Sequence, residues 1–203
     1  MFNYNKPKYP ITDEQMDLYL DKYPFLNFTD INGNLTIHDS VERRHANYYA
    51  MWDGTGCEEL WKKYLTKLFN LYDNWDENKK KAFKFIDVKD KYGGLRIYTS
   101  FDTGLENIAE SLSEWVCEEC GKISRENGKR VIWTTSGWIM NLCEDCLIER
   151  EFCSSILAKK FKHIQEKPFG YKKYDKNFIK TVTYKETDDN WLEIDSETEE
   201  KRG

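Results

Sequence analysis

Between residues 58 and 72, apolar side chains recur at Leu60, Trp61, Tyr64, Leu65, Leu68 and Tyr72, three and four positions apart. This is helical periodicity, and it predicts a helix that buries one broad face. The period then changes from 3.6 to 2. Phe83-Lys84-Phe85-Ile86-Asp87-Val88-Lys89-Asp90-Lys91-Tyr92 alternates like a strand, Gly93-Gly94 interrupts it, and Leu95-Arg96-Ile97-Tyr98-Thr99-Ser100-Phe101 alternates again. Two alternating runs joined by glycines that tolerate positive φ predict a hairpin. Leu105, Ile108, Ala109, Leu112 and Trp115 then return to helical spacing.

Elsewhere the pattern is shorter. Thr12 with Gln15 three residues on is a capping-box signal, so a short helix carrying Met16, Leu18, Tyr19 and Leu20 is expected to end before Pro24. Asn32-Gly33-Asn34 marks a turn and Leu35-Thr36-Ile37 reads as a strand. Val131-Ile132-Trp133-Thr134-Thr135, Ser136-Gly137 and Trp138-Ile139-Met140-Asn141-Leu142 read as a second hairpin. Ile148, Phe152, Ile156, Phe161 and Ile164 then form a stripe, which predicts a helix that stops before Pro168. Residues 178–184 are expected to add an edge strand. The acidic stretch after Asp195 lacks apolar side chains to bury and is expected to be disordered.

Two Cys-x-x-Cys pairs change this picture: Cys117 with Cys120, and Cys143 with Cys146, about a hairpin apart. Each pair lets two thiolates grip one ion from a tight turn, and two pairs complete a closed tetrahedral shell. One structural Zn2+ is therefore expected on Cys117, Cys120, Cys143 and Cys146, with an iron–sulfur cluster as the rival because thiolates suit both. A closed shell leaves no position for water or substrate, so the metal supports a fold and performs no chemistry. The order of knuckle, hairpin and ligands at a helix start is that of a treble-clef module.

Composition sets the surroundings of that module. The 203 residues include 7 Trp, 13 Tyr and 11 Phe, enough aromatic area for a compact core under a charged surface. No run is long enough to span a membrane, and Met1-Phe2-Asn3-Tyr4-Asn5-Lys6 lacks the apolar core of a signal peptide, so a cytoplasmic protein is expected. Metal-type cysteine pairs, with Cys57 and Cys153 left over, fit a reducing compartment. The net charge of -5 is segregated, because residues 186–203 hold eight acidic against two basic side chains while residues 159–185 are dominated by lysine.

The run from Asp87 through Gly93-Gly94-Leu95-Arg96-Ile97-Tyr98, then a helix, Cys-x-x-Cys-Gly, Gly137-Trp138-Ile139 and Leu142-Cys143, resembles a family of small bacteriophage and prophage proteins. In that family a Lys-(Phe/Tyr)-Gly-Gly-Leu-Arg-(Phe/Ile)-Tyr hairpin precedes a zinc module. The likeness covers roughly residues 50 to 150. It implies a fold and a phage setting rather than a reaction, with interference in a host process, such as defence signalling, as the corresponding role.

Together these signals predict an α+β fold, a small antiparallel sheet with flanking helices plus a treble-clef or zinc-ribbon-like four-cysteine module. The expected divisions are an α+β domain over 1–112, the zinc module over 113–167, and a basic segment with a disordered acidic tail over 168–203. A non-enzymatic binding protein is expected, its partner a host protein or a small phosphorylated ligand met by Lys89, Lys91, Gly93, Gly94 and Arg96 as cations and backbone N–H groups. The alternative is nucleic-acid binding through Lys159, Lys160, Lys162, Lys172 and Lys173, with Tyr171 and Tyr174 stacking on bases. His38, Asp39, Glu42, Arg43, Arg44, His45 and Cys57 could supply acid–base or nucleophilic chemistry, but no motif holds them together, and a catalytic reading ranks below both.

Overall fold

The computed structural model describes residues 18, 20–26, 58–137, 139–153 and 159–202. The capping box at Thr12, the turn and strand expected at 32–37, and the acid–base groups from His38 to Cys57 lie outside the described residues. Among the described residues the fold is mixed α+β, with three small antiparallel sheets and flanking helices.

Helix α1 (Glu58–Asp73) buries all six residues of its apolar stripe, with Trp61, Tyr64 and Leu68 fully covered. Phe25 and Leu26, in a 3-10 turn at Pro24–Leu26, pack on the same core. A short helix α2 (Glu77–Ala82) follows, its first turn capped by Asp76 Oδ1, which accepts from Lys79 N at 2.9 Å. Phe83 ends that helix by donating its N–H to Lys79 O, so the strand expected to begin there starts two residues later.

Strands β1 (Phe85–Asp90) and β2 (Leu95–Thr99) form the expected hairpin, with Asp90 opposite Leu95. Its left-handed residues are Tyr92 (φ 58) and Gly93 (φ 78), so the two-residue turn is Tyr-Gly and not Gly-Gly. Gly94 has no conformational need for glycine, although a Cβ there would meet Arg96 Nη1 at 3.1 Å. Helix α3 (Leu105–Ser113) lies along the outer edge of β2. Ser113 Oγ accepts from Leu95 N at 2.9 Å and Glu110 Oε1 from Ile97 N at 2.7 Å, so side chains satisfy strand donors that another strand would otherwise claim.

The metal module contains β3 (Ser124–Glu126), β4 (Lys129–Thr135), β5 (Asn141–Leu142), helix α4 (Glu144–Cys153) and β6 (Lys160–Ile164). The expected β4–β5 hairpin is present, and a further one joins β3 to β4 through Asn127 (φ 50) and Gly128 (φ 77). The helix expected to run on to Ile164 is corrected: β6 pairs antiparallel with β4, Ile164 opposite Val131 and Lys160 opposite Thr135. Lys-Phe-Lys-His-Ile alternates with period 2, and β4 has one side unpaired once β3 and β5 occupy the other. Phe161 and Ile164, expected in a buried stripe, are consequently exposed.

The C-terminal region corrects two further expectations. Strands β7 (Gly170–Tyr174), β8 (Phe178–Glu186) and β9 (Leu192–Lys201) form an antiparallel sheet, so β8 is central rather than an edge, and the acidic tail is ordered as β9. Composition taken alone counts the tail's carboxylates as self-repelling, whereas β8 supplies cations for them. Lys180 Nζ lies 2.8 Å from Glu197, and Lys180 and Lys185 sit opposite Glu199 and Glu193. Phe169, Val182, Tyr184, Trp191 and Leu192 are buried in the same core as α1, which anchors the sheet.

Candidate metal centre

Cys117 and Cys120 lie on a knuckle closed by Gly121, whose N–H donates to Cys117 O at 2.8 Å and whose φ of 70 turns the chain back. Cys143 immediately precedes α4 and Cys146 lies in its first turn, where Leu147 N donates to Cys143 O. The partial positive charge of a helix N-terminus favours thiolates at that position. The four sulfurs lie within 4.8 Å of one another, and Cys120 and Cys143 are 3.7 Å apart. Four thiolates about 2.3 Å from one tetrahedral ion would be separated by about 3.8 Å. The cluster can therefore chelate a single metal ion.

Held as thiolates, the four sulfurs would call for a cation. Burial pushes the Cys117 thiol up to about 11, and burial followed by the neighbouring sulfurs pushes Cys146 higher still. Cys120 moves down: burial opposes its ionisation, but the Lys122 N–H and adjacent thiols outweigh that. Four thiolates in one small volume repel each other, and a bound dication removes both the repulsion and the burial penalty.

Acidic residues inside both pairs act as braces around this centre. Asn141 N donates to Glu118 Oε1 at 2.6 Å, and Glu118 N donates in return to Asn141 O at 2.9 Å. Arg150 Nε bonds Glu119 at 2.7 Å, and Lys122 pairs with Asp145 at 2.8 Å, so each pair is tied to the other's segment. Buried Asn141 reaches further: its Oδ1 accepts from Thr134 Oγ1 and its Nδ2 donates to Gly93 O. A Cβ on Gly93 would stand 3.0 Å from Glu118 Oε1. The β1–β2 turn is thus docked directly on the knuckle.

A second polar contact joins the module to the C-terminal sheet. Arg130 is fully buried on β4, bonds Glu186 through Nε and Nη2, and lies 5.1 Å from the Phe169 ring centroid. Arg125 bonds the same carboxylate at 3.0 Å. Burial works to raise the Glu186 pKa, but the two arginines outweigh it and hold the group below its ordinary value.

The structure gathers the four cysteines and separates the other candidates. Gly93 and Gly94 are buried, and Lys91 N and Gly94 N donate across the turn to Gly94 O and Lys91 O. Arg96 bonds Leu95 O and pairs with Glu114, while Lys89 sits opposite it on β1. Lys91 is exposed, its Nζ 5.3 Å from the Tyr92 ring centroid. Lys159, Lys160 and Lys162 lie at β6, with Lys162 bonded to Glu126, whereas Tyr171, Lys172, Lys173 and Tyr174 are on β7 in another sheet. Tyr171 is half-buried against Tyr184, leaving Tyr174 as the exposed ring of that strand.

Sequence reasoning missed Glu118, Asn141, Arg130 and Glu186. Glu118 follows Cys117 directly and Asn141 lies two residues before Cys143, so both stand close enough to the cysteine pairs to brace them, but the Arg130–Glu186 pair spans 56 residues with no local signal. A groove of about 470 Å³, lined in part by Asp87, Asp102, Glu106 and Glu110, opens beside β2. Among the described residues, no helix is long and apolar enough to cross a membrane. No protein-family model matches the chain, and no curated protein or solved structure matches it.

Proposed function

We propose that this chain is a non-enzymatic binding protein stabilised by one structural zinc ion, a phage-type accessory factor that blocks or sequesters a partner in the host cytoplasm. The observation that carries this reading is the docking of the β1–β2 turn on the four-cysteine module through Glu118, Asn141 and Gly93. A closed four-sulfur shell would offer no open coordination position for catalysis, and sulfurs within 4.8 Å of one another suit a single ion. The metal's role is then rigidity, transmitted to a turn whose tip presents Lys91 and Tyr92, the latter 69% exposed.

Of the two partner classes, a host protein is favoured over a small phosphorylated ligand. Two of the turn's N–H groups are engaged within it, which leaves fewer backbone donors to hold a phosphate. The phage setting and interference with host defence rest on the sequence resemblance of the hairpin and cysteine pairs. Elemental analysis and native mass spectrometry of protein purified without refolding are expected to find one zinc per chain and no phosphorylated passenger. A Lys91→Ala, Arg96→Ala variant that keeps its zinc and all partner binding would remove the hairpin from the mechanism.

The exposure of Phe161 and Tyr174 beside lysines favours single-stranded nucleic acid as the second reading. Its signature is a steep loss of binding with added salt, which a partner held at the Tyr92 tip would not show.

A further inference from the structure

The β7–β8–β9 sheet has two long edges of opposite sign. Every residue from Glu193 to Arg202 is exposed, and β9 carries Glu193, Asp195, Glu197, Glu199 and Glu200. The opposite edge, β7, carries Lys172 and Lys173, both exposed, with Lys176 in the turn that follows. Among the described residues, β9 pairs with β8 alone and β7 with β8 alone. Each edge therefore presents strand donors and acceptors that no described strand uses. Carboxylates along one edge repel a second β9, and lysines repel a second β7, so each charge pattern opposes pairing with itself and favours pairing with the other.

The sheet already contains the arrangement that such a pairing would repeat. Across one row Lys173 stands opposite Lys180, and Lys180 opposite Glu199, with Lys180 Nζ held 2.8 Å from Glu197. On its β9 side Lys180 is neutralised by carboxylates; on its open side Lys173 meets no described strand. We propose that β9 of one copy adds antiparallel to β7 of a second copy, extending the sheet from molecule to molecule and giving Lys173 the carboxylate environment that Lys180 has within the chain. Such a contact is heterologous, because two different edges meet, so it leaves a free β9 and a free β7 at the ends and permits chains longer than a dimer. It does not involve the Tyr92 tip and stands independently of the function proposed above.

Sedimentation velocity of the full chain tests this over a concentration series at about 10 mM and about 1 M salt, where screening lengths are about 30 Å and 3 Å. The expected result is mass growth with concentration at low salt that reverts to a single chain at high salt. Lys172→Glu with Lys173→Glu, and separately Glu199→Lys with Glu200→Lys, should each abolish association, and a one-to-one mixture of the two variants should restore it. The neutral pair Lys172→Gln with Lys173→Gln, which introduces no repulsion, should weaken association about tenfold. A single-chain mass under all conditions would overturn the proposal. So would association that persists in both charge-reversed variants, or a mixture that stays monomeric while each variant retains its circular dichroism.

Discussion

The metal module and the C-terminal sheet solve the same problem, that of holding short strands together, by different means. In the module the close contacts are concentrated in a few groups: four clustered sulfurs, the Glu118–Asn141 brace and the turn at Gly93. In the sheet stability is distributed over long strand ladders, cross-strand lysine–glutamate pairs and the anchors Val182, Tyr184, Trp191 and Leu192. Concentrated stabilisation gives a rigid element that a single change can destroy. Distributed stabilisation tolerates substitution, at the cost of two edges that no described strand covers.

Metal removal is the largest test of that contrast. Structural zinc contributes apparent binding energies of about 10–16 kcal/mol in small modules, so chelation, or Cys143→Ser, should abolish protection of β4, β5 and α4 in hydrogen exchange. Protection of β8 and its bonds to β9 should persist, because their anchors pack on the aromatic core. Simultaneous loss in both regions would show that they form one cooperative unit.

Glu186→Gln, measured by chemical denaturation, tests the joint between the two regions. Removing one partner of a buried pair costs about 3–5 kcal/mol, and the partial exposure of Glu186 places the expected loss at the lower end. Arg130→Met removes the buried charge together with its need for a partner and should cost clearly less. Equal losses would assign the effect to packing on Phe169 rather than to an unpaired charge.

A smaller pair of substitutions separates docking from turn geometry. Gly93→Ala and Gly128→Ala both place a Cβ at positive φ, which costs about 1–2 kcal/mol, but only at Gly93 does the new atom meet Glu118 and Asn141. Gly93→Ala should therefore be the more destabilising and should speed zinc transfer to a chelator, whereas Gly128→Ala should leave that rate unchanged.

The smallest effect is in pH. Glu186 has its folded pKa depressed below the ordinary 4.5, so its contribution is fully present above that value and is lost as pH falls through the depressed one. Metal-bound thiolates also compete with protons, since zinc requires them deprotonated. In an acid titration zinc release should come first, and the joint should open at lower pH. Glu110 works in the opposite sense: burial raises its pKa, so its ionisation costs stability as pH rises through the raised value. A joint that opened before zinc was released would reverse the assigned roles.

Legibility from sequence followed the same division. Helix α1, the β1–β2 hairpin and the four-cysteine cluster are each legible because periodicity, turn residues and Cys-x-x-Cys spacing are local signals. The β3–β4 hairpin carries an Asn127-Gly128 turn signal, whereas β6 is ambiguous because Phe161 and Ile164 fit helical spacing as well as strand alternation. For β9 the local signal pointed the wrong way. Five carboxylates read as disorder until Lys180 and Lys185 stand across from them.

By itself the chain determined where a metal could be held, where the aromatic core would come from and where its central hairpin would turn, because each depends on residues a few positions apart. Only the tertiary structure decided that the hairpin would dock on the metal knuckle, that Arg130 would be buried against Glu186, and that the acidic tail would become a strand. Those outcomes depend on groups brought together over 48 and 56 residues and on neighbouring strands supplying opposite charge. A buried polar group or a run of like charge is stable only with its partner in place, and that partner is chosen by the fold.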